Sequence, residues 1–238
     1  MTTSGTASFN LDLNDIIEEA YERCGVEVRT GYEHRTARRS LNLLFADWAN
    51  RGINLWTIEQ GSLPLVQGQV SYDLPVDTVD LLEHVIRTGA GNAATQADLT
   101  ISRISVSTYA TIPNKIQQGR PIQVWVNRQS GATEPTGVNA PQINVWPAPD
   151  GSQVYTFVYW RMRRIQDAGG GTSTQDIPFR FLTCLVSGLA YYLALKIPEA
   201  LNRLQPLKQM YDEAWDLAAG EDREKAPDRL VPRRMYIS

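Results

Sequence analysis

The side chains able to do chemistry in this 238-residue chain are few and scattered. Its two histidines stand alone, His34 among arginines and His84 after Glu83 in an apolar stretch. A general base needs a partner within hydrogen-bond reach, and a bound metal needs several converging ligands. Neither histidine has such company in sequence. Cys24 and Cys184 occupy apolar positions of predicted helices and form no CxxC pair, so buried free thiols suit them better than a disulfide or a zinc site. The phosphate-binding, dinucleotide, nucleophile-elbow and zinc-protease signatures are absent. No catalytic, metal or cofactor-binding residue is assigned, and no cofactor is expected. Trp125, Trp146 and Trp160, placed on predicted neighbouring strands, could form a sugar-stacking, carbohydrate- or receptor-binding surface. Cross-strand packing is the commoner reason for aromatics on a pleated, half-buried surface.

Arginine is the residue that clusters. Arg35, Arg38 and Arg39 share one side of a predicted helix, where they face solvent or a neighbouring subunit. Arg161, Arg163 and Arg164 end a predicted strand and, with Arg128, could face a phosphate backbone. Solvating the strand end or pairing with acidic neighbours would explain them equally. The last residues, APDRLVPRRMYIS from Ala226 to Ser238, cannot continue a helix, because Pro227 and Pro232 lack an N–H and restrict the preceding residue. They are nevertheless too apolar for a solvated tail. An extended arm is expected, with Leu230, Arg233, Arg234, Met235, Tyr236 and Ile237 docking on another surface. Folding back onto its own domain is the alternative.

Composition narrows the classes further. A net charge of −3 carries no general signature of nucleic-acid binding. The N-terminus has neither a basic start nor an apolar run, so no secretory signal is expected. Phe181 to Leu195 is uncharged but too short and too diluted by Thr, Ser, Gly and Tyr to span a bilayer. A soluble chain made in a reducing cytoplasm, with no membrane association, is the expectation.

The elements that must position these residues run helix, strands, helix. Leu13, Ile16, Ile17, Ala20 and Cys24 stripe a first helix from about Asp12, with Gly25 as its stop. Thr30 and Glu33 have capping-box spacing for a second, buried through Ala37, Leu41, Leu44, Phe45 and Trp48. Period-two stretches follow at Leu55–Glu59, Val79–Arg87, Ile101–Ser105, Ile122–Arg128, Ile143–Pro147 and Val154–Arg163. Gly61, Pro64 and Gly68 read as punctuation, Ser71–Pro75 as a hairpin return, and Pro149–Gly151 as the turn of a last hairpin. Pro178 suits the first turn of a helix that is apolar nearly all round. Beyond a boundary at Pro206, Leu207, Met210, Tyr211, Ala214, Leu217 and Ala218 mark the final helix. The expected fold is α+β: a helical domain over 9–53 and 176–225, an inserted antiparallel β module over 54–175, and a docking arm over 226–238.

The ordered series TARRSLNLLFADWANRGINLWTIEQ, LPVDTVDLLEHVIR, ISRISVSTYATIPNKIQQGRPIQVWVNRQ, YTFVYWRMRRIQDAG and DIPFRFLTCLVSGLAYYLALKIPE resembles the head-to-tail adaptor proteins of short-tailed bacteriophages, above all the tail tubular protein A group. The resemblance runs from about Phe9 to Ile237. It implies a non-enzymatic virion protein at the head–tail junction. Such adaptors form a homo-oligomeric ring, commonly of twelve subunits, between the portal protein and the tail nozzle protein. Double-stranded DNA passes through the ring, touching it transiently and non-specifically. The resemblance also implies a terminal arm that grips the portal or a neighbouring subunit.

Overall fold

Residues from both ends of the sequence form one compact unit, Met1–Ala46 with Asp167–Ser238, and the middle, Asp47–Gln166, forms another. The structure, a computed structural model, describes residues 3–52, 55–128, 133–134, 137–138 and 140–223. In chain order the elements are α1 (Leu13–Cys24), α2 (Gly31–Asn50), β1 (Ile58–Pro64), β2 (Ser71–Asp73), β3 (Thr78–Thr88), β4 (Ala97–Thr100), β5 (Ser102–Arg103), α3 (Val106–Thr111), β6 (Gln118–Gly119), β7 (Gln123–Asn127), β8 (Thr133–Glu134), β9 (Gly137–Val138), β10 (Gln142–Trp146), β11 (Ala148–Pro149), β12 (Tyr155–Arg163), α4 (Leu182–Ala194) and α5 (Leu204–Glu221). The fold is α+β.

Local chemistry starts and stops the first helices. Asp12 caps α1 by accepting the Asp15 N–H at 3.0 Å, and Asp15 accepts the Asp12 N–H in return. Gly25, at φ 80°, closes it in the left-handed conformation that a side chain disfavours. Ahead of α2, the Glu33 carboxylate accepts the Arg29 and Thr30 N–H groups at 2.7 and 2.8 Å. Those two backbone donors hold its carboxyl below the usual range. The expected apolar stripes of α1 and α2 are buried.

α4 is the hub of this unit. Cys184, Leu185, Leu189 and Ala190 are wholly buried. On one side, the Cys24 thiol of α1 donates to the Ala190 carbonyl, and Arg23 donates to Ser187 Oγ at 2.8 Å. Gly188 is the point of closest approach. A Cβ there would lie 2.8 Å from the Tyr211 ring of α5 and 3.0 Å from Leu44 of α2. Two prolines act differently from expectation. Pro178 caps a 3-10 turn over Phe179–Phe181 that leads into α4, instead of sitting in the first turn of the helix. Pro206 lies inside the first turn of α5, where its missing N–H would have had no partner.

In the other unit, β1, β12, β3 and β4 make an antiparallel sheet in that order, and β2, β10, β7 and β5 make a second in which β5 runs parallel to β7. Their facing residues form one core that includes Leu81, Ile86, Val124, Ile143, Val145 and Phe157. The alternation of β7 delivers Val124 and Val126 to it, while Ile122 stays largely outside. Strand bounds and pairings depart from the sequence reading. Leu55–Thr57 is a 3-10 turn, and the strand begins at Ile58 and runs through Gly61. Tyr159, opposite Gly61 in register, lays its ring where a Cβ would stand, so the glycine is a packing requirement and not a break. Pro64 is tolerated because β1 is an edge strand. Ser71–Asp73 pairs with β10 and makes no hairpin with β1. The Pro149–Gly151 turn likewise closes no hairpin, because β10 and β12 belong to different sheets. Asp150 stabilises that turn by accepting from Ser152 Oγ at 2.6 Å and Tyr155 Oη at 3.1 Å.

Candidate interaction surfaces

The arginines at the end of β12 are satisfied within the chain. Arg161, only 9% exposed, donates to Asp77 Oδ1 at 2.6 Å, Thr78 Oγ1 at 3.0 Å and Glu59 Oε2 at 2.9 Å. Arg163 takes the other Glu59 oxygen at 2.6 Å. One carboxylate from β1 and one preceding β3 thus neutralise the two cations of β12. The hydrogen bond from Arg161 is the main reason the Asp77 carboxyl lies below its ordinary range. Arg128 donates to the Val79 carbonyl and lies 3.6 Å from Asp80, which also pairs with Arg103 at 2.8 Å. Of the four cations that sequence grouped against a phosphate backbone, Arg164 alone has no ion pair among the described residues. Pairing with acidic neighbours accounts for the other three.

The tryptophans do not make an open shelf. Trp125 and Trp146 share the outer face of the β7–β10 pair, but Trp160 belongs to the other sheet. Tyr109 of α3 stacks on Trp125 at 5.0 Å between ring centroids, and Trp146 Nε1 donates to the Asn114 carbonyl at 3.0 Å. α3 and the loop after it therefore occupy the surface that a sugar would need. His84 stacks on Phe157 at 5.9 Å, and burial followed by the nearby Arg103 charge pushes its pKa down. The Cys24 thiol is pushed up to about 11, mainly by burial. Both cysteines are free and buried.

α2 is different. Its outer side carries Arg35, Arg38 and Arg39, and none of the three has a hydrogen bond or ion pair among the described residues. Arg35 and Arg38 join His34, Leu13, Asn14 and Ile17 around an open cavity of about 300 Å³, a cationic mouth over an apolar floor. Arg39 lies near Lys196, whose Nζ donates to Ser40 Oγ at 2.6 Å. Burial, then the Arg39 charge, lower the Lys196 pKa. Tyr32 and Leu43, 68% and 56% exposed, extend the arginine row at both ends. Sequence reading missed these two, although their spacing from Arg35 and Arg39 places them on the same stripe. It also counted Met210 and Leu217 with the apolar positions of α5, where they are 47% and 78% exposed. Leu207, Tyr211 and Ala218 fill the buried face, and Met210 and Leu217 lie about 100° round the helix from Tyr211. Residues 226–238, with the arm positions Leu230, Arg233, Arg234, Met235, Tyr236 and Ile237, lie outside the described residues.

Among the described residues, no helix is long and apolar enough to cross a membrane. The molecule is a two-unit α+β protein, and the outer side of α2 sets three arginines without ion pairs among the described residues beside the exposed Tyr32 and Leu43. Residues 10–233 match the family model of the SU10 adaptor protein, and the chain belongs to that family. It is a phage adaptor, a structural component of the virion. No curated protein matches the chain.

Proposed function

We propose that copies of this chain close into a ring at the head–tail junction, between the portal and the tail nozzle, in the manner of the tail tubular protein A group. The ring holds about twelve subunits, and each contact around it is heterologous, one face meeting a different face of the next copy. DNA passes through the centre and touches the wall without sequence preference. The protein works by assembly and not by turnover, and it is made in the host cytoplasm before joining the virion. The observation that carries this reading is the family match over residues 10–233. The absence of catalytic motifs from the sequence and the modest net charge of −3 support it, since a strongly basic lumen would retain the duplex instead of letting it slide.

The test is to mix the purified chain with the portal ring of the same virion and measure the mass of the product, with the chain alone as control. A discrete portal-bound ring is expected. A chain that ignores the portal at every concentration defeats the reading of a ring assembled on the portal.

A further inference from the structure

We propose that the outer face of α2 is the docking site for the outer face of α5 from a second copy of this chain. This rests on the ring reading above and names the contact that repeats around it. Tyr32, Arg35, Arg39 and Leu43 recur at i, i+3, i+7 and i+11, so they form one stripe about 16 Å long. Two cations stand in its middle and an apolar side chain at each end. On α5, Met210, Glu213 and Leu217 recur at i, i+3 and i+7, with Asp212 and Asp216 in the adjoining row. There the order is apolar, acidic, apolar.

The two stripes lack partners in a complementary way. Elsewhere in the same unit, Glu19 pairs with Arg23, and Asp222 with Arg180. Arg35 and Arg39 meet no carboxylate among the described residues, and Asp212 and Asp216 meet no cation. Among the described residues, Glu213 accepts only from its helix neighbour Gln209, at 2.9 Å. From their other sides both helices reach α4, where Leu44 and Tyr211 meet at Gly188. The stripes are therefore turned away from the hub.

Neither stripe can satisfy itself by twofold pairing, because each would set like charges together. A basic stripe on an acidic one is a head-to-tail contact, which propagates until it closes. Exposed ion pairs are individually weak, at about 0.2–1 kcal/mol each. One such contact is accordingly feeble, and a template that holds many copies side by side multiplies it by raising the effective concentration. A chain that stays monomeric until it meets the portal follows from that arithmetic.

Charge reversal on the full-length chain tests the assignment. One variant carries Arg35→Glu with Arg39→Glu, another Glu213→Lys with Asp216→Lys, and a third all four changes. Association is read by sedimentation over rising concentration and by the mass of the portal complex, with circular dichroism checking the fold. Each two-site variant alone is expected to associate about 100-fold or more weakly than the parent, since like charges then face each other. Mixing the two, or combining all four changes, is expected to restore association. If a reversed chain misfolds, Arg35→Gln with Arg39→Gln reads the same surface through a smaller loss. Two-site variants that assemble like the parent overturn the proposal, as does failure of the mixture and of the four-site chain to recover. If the α2 variant assembles normally but the ring loses duplex DNA, the stripe faces the channel instead. A parent chain that associates neither alone nor on the portal defeats the ring reading itself, a result distinct from these.

Discussion

His84 and Arg161 illustrate what single residues do in the β unit. His84 stacks on Phe157 against the core, and burial and then Arg103 favour its neutral form, with Glu83 opposing. Its pKa is lowered from the ordinary 6.5, so as pH falls the unfolded chain takes up the proton first. The stability due to neutral His84 is present above that value and is lost as pH falls through the folded pKa. His84→Leu is expected to flatten the decline in denaturation free energy between about pH 7 and 5; an unchanged slope would assign that decline to other groups. Arg161 sits between Asp77 and Glu59, both nearly half exposed. Its loss leaves two carboxylates close together, though water screens them in part. Arg161→Met is expected to cost about 1–3 kcal/mol in denaturant unfolding at pH 7. The Asp77 carboxyl lies below its ordinary 3.8, so this contribution is present above that pH and lost as pH falls through the folded value. The gap between parent and variant should therefore narrow below about pH 4.

At the scale of elements, Gly188 decides how closely three helices approach. Helix propensity alone favours Gly188→Ala by about 1 kcal/mol. Against that, the added methyl would meet Tyr211 at 2.8 Å and Leu44 at 3.0 Å, both in a filled interior. Overpacking of this kind costs about 1–3 kcal/mol, so packing outweighs propensity. The substitution is expected to lower the midpoint of thermal unfolding; a rise would mean that α2 and α5 can shift apart at little cost. Gly61 makes the same point in a sheet, since the Tyr159 ring covers it.

For the whole molecule, the stabilising interactions described above act inside each unit and leave the two stripes for other copies. We propose that residues 226–238 add a second attachment. Deleting Pro227 to Ser238 is expected to leave the fold intact by circular dichroism while abolishing joining to the portal, because Arg233, Arg234, Met235, Tyr236 and Ile237 are the proposed anchors. A truncated chain that joins the portal with parental affinity would remove the arm from the mechanism and leave attachment to the helical unit.

Sequence by itself determined the features that depend on near neighbours in the chain. Asp12 with Asp15, and Thr30 with Glu33, set helix starts because capping spans three residues. The apolar spacing of α1 and α2 named their buried faces, because periodicity and burial are the same information there. The ordered segments also carried the resemblance to phage adaptors. What only the tertiary structure decided was whatever depends on a distant partner. Whether Arg161 and Arg163 face a phosphate backbone or carboxylates turned on Glu59, about a hundred residues away. Strand pairing put β10 and β12 in separate sheets although a turn sequence lies between them. Trp125 became a packed side chain once Tyr109 stacked on it. Met210 and Leu217 show the reason most simply: an apolar stripe states what a helix could bury, and only the neighbouring helices fix how much of it is covered.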